Sequence, residues 1–421
     1  MARKGLFAAL EDLEVEDSVV YGDTPYGEDI EQADSEARDE LEEAEHNSKE
    51  IDELLDSTDE GIEDTETLQE MGGAIGNAAD TEVGIDDVGI APTIIATEML
   101  CRNLNLENFK IMPALESFSS SNSRVQATKR AAIAIEGVVD KAIAKIKEVL
   151  KYIADKLAEF MDKSVEMYRK TMTAFKMKLA AHVKSMPDTA GNDIVSKGLV
   201  RAFGKPSDNE VTFNDVKAVL DAHMEIGKIL TKISEETGPV CDSIIAAVKD
   251  SGQAIEEIGK VAAKKAERAF KGTLEGKRLV DGFHVEVTND NGWGRPEFKS
   301  DWTGKEPSDE SHIKSMSKSQ VEEVLKQVET MMKDAIKEST SISKSYRAAH
   351  VKLDELDKLK DVEENRKKAG ALAISKALKD FYAVGKEVYN LQNRSMKDAL
   401  DYAKQSITSS KSKKKEEEKT K

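Results

Sequence analysis

The sequence predicts a mainly α protein in which long amphipathic helices form an elongated bundle, with a small β-hairpin near 276–290 and a disordered acidic N-terminal segment. Aromatic residues make up 5% and charged residues 34% of the 421 residues, a composition that suits a helical, surface-rich protein better than one large compact core. Apolar residues recur at steps of three and four over most of the chain, which is the spacing of one helix face. The acidic residues are concentrated before residue 117.

Residues 1–116 form this acidic segment. They contain 6 Lys or Arg and 33 Asp or Glu, a net charge of −27. Over 11–87 such a composition cannot bury enough apolar surface to offset the entropy of ordering the chain, so we expect the segment to be largely disordered. Helical spacing within 35–56 predicts one acidic helix, and a second short helix is expected over 93–103.

A serine-rich linker, residues 117–123, separates the acidic segment from a mildly basic remainder. Residues 117–421 carry 56 Lys or Arg against 48 Asp or Glu, a net charge of +8. The excess is greatest over 124–186, with 14 Lys or Arg against 7 acidic residues. This stretch opens a basic helical region, 124–274, and its first helix has one apolar face made of Ile135, Val139, Ala142, Ile146, Leu150, Ile153, Leu157 and Phe160.

Further helices are expected in the basic helical region. One lies around 193–203, the next starts from a cap at Thr212 or Asn214, and helical spacing resumes from Val240 to about Phe270.

Residues 275–305 interrupt the helical pattern. Asp281-Gly282 stands between two short β-favouring runs and predicts a hairpin turn, followed by a loop that carries both tryptophans, Trp293 and Trp302. Residues 306–407 form a further helical region, in which helical spacing returns from about Ser317 to Ile407 as two long helices broken near Asp361. Residues 408–421 are expected to form a charged, solvated tail.

No motif indicates catalysis, a metal or a cofactor, so we predict that the protein is not an enzyme and needs no cofactor. Cys101 and Cys241 lack the spacing of a zinc site, and the six histidines are scattered. "GTLEGK", residues 272–277, has three residues where a phosphate-binding loop has four. No stretch approaches the roughly 18 apolar residues of a membrane span, and no stable membrane association is expected.

The basic residues after the linker are candidates for contact with phosphate. Lys141, Lys145, Lys151 and Lys156 lie on one long helix, and aromatic residues are not interleaved with them, which argues against base stacking. Any contact with double-stranded DNA is then expected to be non-specific and directed at the backbone. A solvated helix face explains the same lysines equally well, and both interpretations stay open.

The boundary between the two parts carries the most specific signal. Ala114, Leu115 and Glu116 precede Ser117, so a small-aliphatic-acidic tripeptide meets a serine linker at the point where the charge reverses. This predicts proteolytic cleavage between Glu116 and Ser117. Ala134, Ile135 and Glu136 repeat the tripeptide, but within a strong helical pattern, so they are a weaker second candidate.

With these residues the chain resembles the internal head proteins of large tailed bacteriophages. The likeness is carried by "PALESF", by the acidic region before it, and by "ATKRAAIAIEG" with the basic amphipathic helix that follows, and it covers roughly residues 1–165. The resemblance implies a virion protein made in the host cytoplasm as a precursor, with 1–116 as a propeptide. It also implies cleavage by a prohead protease after Glu116, and packaging with the genome and other capsid or inner-head proteins in the phage head. Ejection with the genome is left open.

Other functions remain after this resemblance. A helical scaffold or coiled-coil protein would use the acidic N-terminus only as a disordered tail. A membrane-active helical protein would use it as an inhibitory prosegment. The resemblance does not cover residues 190–310, so a hydrolase activity in that region is a further alternative.

Overall fold

The computed structural model of the chain describes residues 28–81, 84–106, 118, 121–208, 210–270, 278–290 and 293–419. Long helices dominate these residues, which confirms the mainly α prediction. The first helices are α1 (Glu28–Ala79), α2 (Asp87–Asn103), α3 (Ser121–Met167), α4 (Thr173–Val183) and α5 (Lys197–Phe203), with a π-helical turn, Tyr168–Met172, between α3 and α4. The later helices are α6 (Phe213–Lys249), α7 (Ile255–Phe270), α8 (Lys318–Asp357) and α9 (Glu364–Lys419).

The C-terminal helix α9 is the central helix of the bundle. It packs against α1, α3, α6 and α8, and from about residue 371 to 410 most of its residues are buried whichever way they face. Ala371, Leu372, Ala373 and Ile374 are four consecutive examples. Such a helix is enclosed on more than one side, and its buried positions include polar residues such as Lys379, Asn393 and Lys397 as well as apolar ones.

Helix ends largely follow the expected signals. Thr212 begins α6 through a capping box with Asp215, as the sequence predicts, and the break between α8 and α9 falls at Asp361. The predicted break before Val240 is absent from α6, which continues through Pro239 and ends at Lys249. Buried side chains on both sides of the proline hold the helix together, and the chain turns after Asp250 instead.

The β-hairpin is confirmed, but its two strands lie further along the chain than predicted. β2 (Phe283–Asp290) pairs antiparallel with β3 (Trp293–Ser300), whereas Asp281 and Gly282 precede the first strand. Both have a positive φ, 57° and 65°, and belong to a 3₁₀ turn. Asp281 and Gly282 therefore do adopt the left-handed conformation that an Asp-Gly dipeptide favours, but they lie just before the first strand of the hairpin. Short strands β1 (Glu210–Val211) and β4 (His312–Ile313) form a separate parallel pair.

The acidic segment differs most from its prediction. Residues 28–79 form one helix of 52 residues that packs along α3 and α9, so the expectation of disorder is corrected for this part of the segment. α3 already begins at Ser121, inside the predicted serine linker, and Phe118 is buried. α9 continues to Lys419, through most of the predicted tail. Among the described residues no helix is long and apolar enough to cross a bilayer.

Candidate functional site

A stripe of buried side chains runs the whole length of α1. Its members recur at steps of three, four or seven residues: Ile30, Ala33, Ala37, Ala44, Ser48, Ile51, Leu55, Thr58, Ile62, Thr65, Leu68, Ile75 and Ala79. These steps are those of a seven-residue repeat, which keeps one face of a long helix turned toward the same partners. Burying an isoleucine or leucine fully contributes about 1.5–3 kcal/mol, so the stripe anchors a helix whose surface is otherwise highly charged.

Glycines beside this stripe let neighbouring segments approach α1 closely. A Cβ on Gly72 would lie 3.0 Å from a methyl carbon of Ile135 in α3, and one on Gly61 would lie 2.8 Å from Leu104, just after α2. The hydroxyls of Thr58 and Thr65 are bonded to carbonyl oxygens one turn earlier in α1, each at 2.6 Å, so their burial leaves no unpaired donor.

Ion pairs join α1 to α9, and the two helices run in opposite directions. The pairs, with nitrogen–oxygen distances, are Lys404 with Glu31 and Asp34 (2.8 Å each), Lys397 with Asp34 (2.6 Å), Arg394 with Glu45 (2.7 Å), Lys386 with Asp52, and Lys379 with Asp59 (2.5 Å). We call this set the α1–α9 ladder. The side chains of Lys379, Lys386 and Lys397 expose only 7%, 6% and 4% of their surface. Charges buried this deeply need partners, and α1 supplies one carboxylate to each lysine in addition to a neighbouring carboxylate of α9 itself.

A second, shorter set of pairs joins α1 to the basic helix α3. Lys156 lies 3.3 Å from Glu50, and Lys163 lies 3.1 Å from Glu43. Lys156 and Lys163 are seven residues apart on α3, and Glu43 and Glu50 are seven residues apart on α1. The two pairs therefore repeat in one antiparallel register. The hydrogen bond to Glu50 raises the pKa of Lys156, which keeps this lysine charged.

The end of α1 near Asp34 has the densest cluster of charge. Burial alone would raise the pKa of Asp34, but hydrogen bonds from Lys397 and Lys404 outweigh it and hold the pKa well below its ordinary value. Lys397 also donates to Asp401 at 2.6 Å, and burial raises the pKa of Asp401 to about 6. Asp34 is therefore ionised at neutral pH, and it is the carboxylate that Lys397 and Lys404 share.

The predicted cleavage residues Ala114, Leu115, Glu116 and Ser117 lie outside the described residues. On the two sides of them, α2 ends at Asn103 and α3 begins at Ser121. The second candidate, Ala134-Ile135-Glu136, lies inside α3. Ala134 and Ile135 are buried, while Glu136 pairs with Lys368 at 3.3 Å.

The four predicted DNA-contact lysines have different environments. Lys141 and Lys151 are exposed on α3. Lys145 is half-buried and pairs with Glu148 at 2.9 Å, and Lys156 is paired with Glu50 of the acidic helix. One of the four predicted lysines, Lys156, is thus in contact with α1.

The cations of α9 were not predicted as a site, because the sequence directs attention to 124–186, where the excess of positive charge is greatest. Their signal is spacing: Lys379 and Lys386 are seven residues apart, as are Lys397 and Lys404. On α1, Glu45, Asp52 and Asp59 repeat at the same interval. Matching seven-residue charge repeats of opposite sign indicate paired helices.

Arg394 also lines a surface cavity of about 720 Å³ beside the hairpin, together with Arg201, His284 and Lys299. Its guanidinium lies 3.7 Å from Asp281, another lining residue, so this cavity is not purely cationic. In the part of the chain that the structure describes, no group of three or more His, Cys, Asp or Glu is arranged to hold a metal ion. Cys101 and Cys241 are both buried and free.

Comparison with known proteins gives one match. The sequence profile of a family described as phiKZ-like phage internal head proteins matches residues 27–409. No curated protein matches the chain, and neither does any solved structure. The matched range extends far beyond residue 165 and includes α1 with both helices that it joins.

Proposed function

This chain belongs to the family of phiKZ-like phage internal head proteins, and we propose that it is made as a precursor and cut after Glu116 by the prohead protease. Residues 117–421 then remain inside the head with the packaged double-stranded DNA and other head proteins. Before assembly, in the host cytoplasm, the acidic segment keeps the basic helices from binding nucleic acid. The role is structural rather than catalytic.

The observation that carries this proposal is the placement of α1 against the cations of α3 and α9. α1 contains 2 Lys or Arg and 20 Asp or Glu, a net charge of −18. Its carboxylates occupy Lys156, Lys163 and the α9 cations of the ladder, which are groups that would otherwise attract phosphate. A polyanionic helix in this position is an intramolecular substitute for a nucleic-acid backbone.

The position of Glu116 between two helices supports the proposed cut. A protease binds its substrate in an extended form, and Glu116 lies between the end of α2 at Asn103 and the start of α3 at Ser121, so this cut requires neither helix to unwind, although the buried Phe118 must leave the core. Cleavage after Glu136 would require α3 to unwind where Ile135 is fully buried. We therefore propose Glu116 as the primary site and leave Glu136 as the secondary one.

DNA contact is proposed to be non-specific. Lys141 and Lys151 are exposed on α3, and Lys145 and Lys156 lie on the same helix in pairs with carboxylates. Contacts from lysine to phosphate neutralise charge and displace counterions whatever the base sequence. Weak binding that any DNA satisfies suits a protein packed together with a whole genome.

The mature N-terminus of the protein extracted from phage heads tests the proposal. Mass spectrometry of the tryptic and intact protein should find Ser117 as the first residue. Peptides that span residues 105–125 at full abundance would show that the chain is packaged uncut and would remove the precursor interpretation.

A further inference from the structure

Helix α1 packs against both α3 and α9, which also contact each other, so it lies in a groove between them. We propose that this groove is a binding surface for an acidic amphipathic helix, and that residues 1–116 stay bound in it through α1, as a separate polypeptide, after the chain is cut. This inference rests on the proposed function for the cut itself, but it concerns the fate of the two pieces once they are separate. Its test uses an engineered cut, so it stands or fails independently of the natural protease.

The contacts that hold α1 do not depend on an intact chain. The two ion-pair sets connect residues 31–59 of α1 to residues 156–163 of α3 and 379–404 of α9. A cut after Glu116 breaks a peptide bond far along the chain from both ends of every pair. Cleavage therefore removes the tether and leaves the interface in place.

Loss of the tether lowers the effective concentration of α1 from millimolar values to the concentration of the protein itself. Retention then depends on the interface alone. Salt screens exposed ion pairs, but it does not weaken burial of the apolar stripe that includes Ile51, Leu55 and Ile62. Departure of α1 would also remove one of the carboxylate partners of Lys379, Lys386 and Lys397 and leave each lysine only a neighbouring carboxylate of α9, namely Asp380, Glu387 and Asp401.

Helix α2 belongs to the same cut piece and adds contacts of its own. Asn103 donates a hydrogen bond to Asp64 of α1 at 3.0 Å, so α2 is fastened to α1. The backbone nitrogen of Ile85, just before α2, donates to Thr128 of α3 at 3.0 Å. The piece is thus held to the remainder at several places along α3.

A retained α1 changes how DNA reaches the protein. The cations of α9 stay covered after the cut, and phosphate gains them only by displacing α1. Before the cut, α1 is tethered over these cations. After the cut it is a separate bound helix, which a concentrated polyanion such as packaged DNA can displace.

The experiment places the recognition sequence of a site-specific protease at 108–114 in the full chain. After digestion the two pieces should co-elute in size-exclusion chromatography at about 150 mM salt and remain together at about 1 M. Native mass spectrometry should give one complex with one copy of each piece. Separation at about 150 mM salt, with the larger piece still helical by circular dichroism, would overturn the proposal. A complex of twice the mass would also overturn it, since α1 would then bind a second copy.

Two matched variants test whether the register of charges holds the helix. The paired set, Asp34→Asn, Glu45→Gln, Asp52→Asn and Asp59→Asn, removes ladder partners; the solvent set, Glu42→Gln, Glu53→Gln, Asp56→Asn and Glu60→Gln, makes the same charge change on exposed positions. The paired set should weaken retention at least about 10-fold and the solvent set should not. Equal retention of both sets would overturn the role of the ladder. Ile62→Ala, which changes no charge, should also weaken retention at least about 10-fold. This variant tests the interface if the paired set does not fold.

Discussion

Lys397 of α9 donates a hydrogen bond of 2.6 Å to Asp34 of α1, across 363 residues of sequence. Both side chains are almost completely buried, with 4% and 7% of their surfaces exposed. The bond joins the segment that the proposed cut would separate to the segment that would be kept. Its burial means that the acidic helix is a structural element of the uncut protein as well as a source of negative charge.

Removing the carboxylate of Asp34 should destabilise the uncut chain. Asp34→Asn leaves Lys397 and Lys404 without their shared ionised partner in a buried position, at an expected cost of about 3 kcal/mol in the free energy of unfolding at pH 7. Urea denaturation followed by circular dichroism measures it. Glu42→Gln, on the solvent side of the same helix, should change the free energy by less than about 0.5 kcal/mol. Equal effects of the two changes would contradict the buried cluster.

Glutamate at the cut should be required for processing. Glu116→Gln keeps the size of the side chain but removes its charge, so a protease that pairs this carboxylate with a basic group loses stabilisation of its transition state. The uncut protein should accumulate in infected cells and be seen by immunoblot. Normal trimming of the variant would count against Glu116 as the recognised residue.

The basic helix should contribute to DNA binding once the acidic segment is absent. For residues 117–421, changing Lys141, Lys145, Lys151 and Lys156 together to glutamine should weaken binding to duplex DNA and flatten the slope of log affinity against log salt by up to about 3. The same change at Lys326, Lys333, Lys337 and Lys344, exposed on α8, is the control. If both quadruple variants lose the same affinity, net charge rather than the face of α3 determines binding.

Glu338 of α8 should make stability depend on pH. Burial, with a smaller effect of Asp334, raises the pKa of Glu338 to about 7, above its unfolded value of 4.5. Because this pKa is raised, the folded state gains stability as the pH falls from about 7 to 4.5. Above that range the folded state is destabilised, because it must bury the ionised carboxylate. Glu338→Gln should therefore raise the free energy of unfolding by about 1–2 kcal/mol at pH 8 and change little at pH 4. Glu322→Gln, exposed on α8, is the control, and an equal gain from it would contradict the assignment.

The pattern of apolar residues predicted most helices because their burial follows the hydrophobic periodicity directly. It predicted only one acidic helix within 35–56 where α1 spans 52 residues, since about half of the buried stripe consists of Ala, Ser and Thr, which form a weak hydrophobic face. The rule for disorder then treated Asp34, Asp52 and Asp59 as solvated charges, although each has a lysine partner from α9. Composition alone cannot reveal partners that lie more than 300 residues away.

The hairpin shows a different reason for a partial prediction. Asp281-Gly282 was interpreted as the turn because the left-handed conformation favours glycine, and both residues do have positive φ. However, β2 ends at Asp290 and β3 begins at Trp293, so in the sequence Asn291-Gly292 stands between the two strands. Asn-Gly is the stronger signal for a two-residue hairpin connection, and weighing the two dipeptides against each other would have given the correct register.

The central claim is that α1 covers the cations that hold DNA, and the paired and solvent acid sets test it in the uncut protein. Both variants lose four negative charges, so non-specific attraction rises equally, and only the paired set weakens the cover over α9. Fluorescence anisotropy with labelled duplex DNA at about 50 and about 200 mM salt should show at least about 10-fold tighter binding by the paired set, with a steeper salt slope. Equal binding by the two sets at both salt concentrations would contradict the claim.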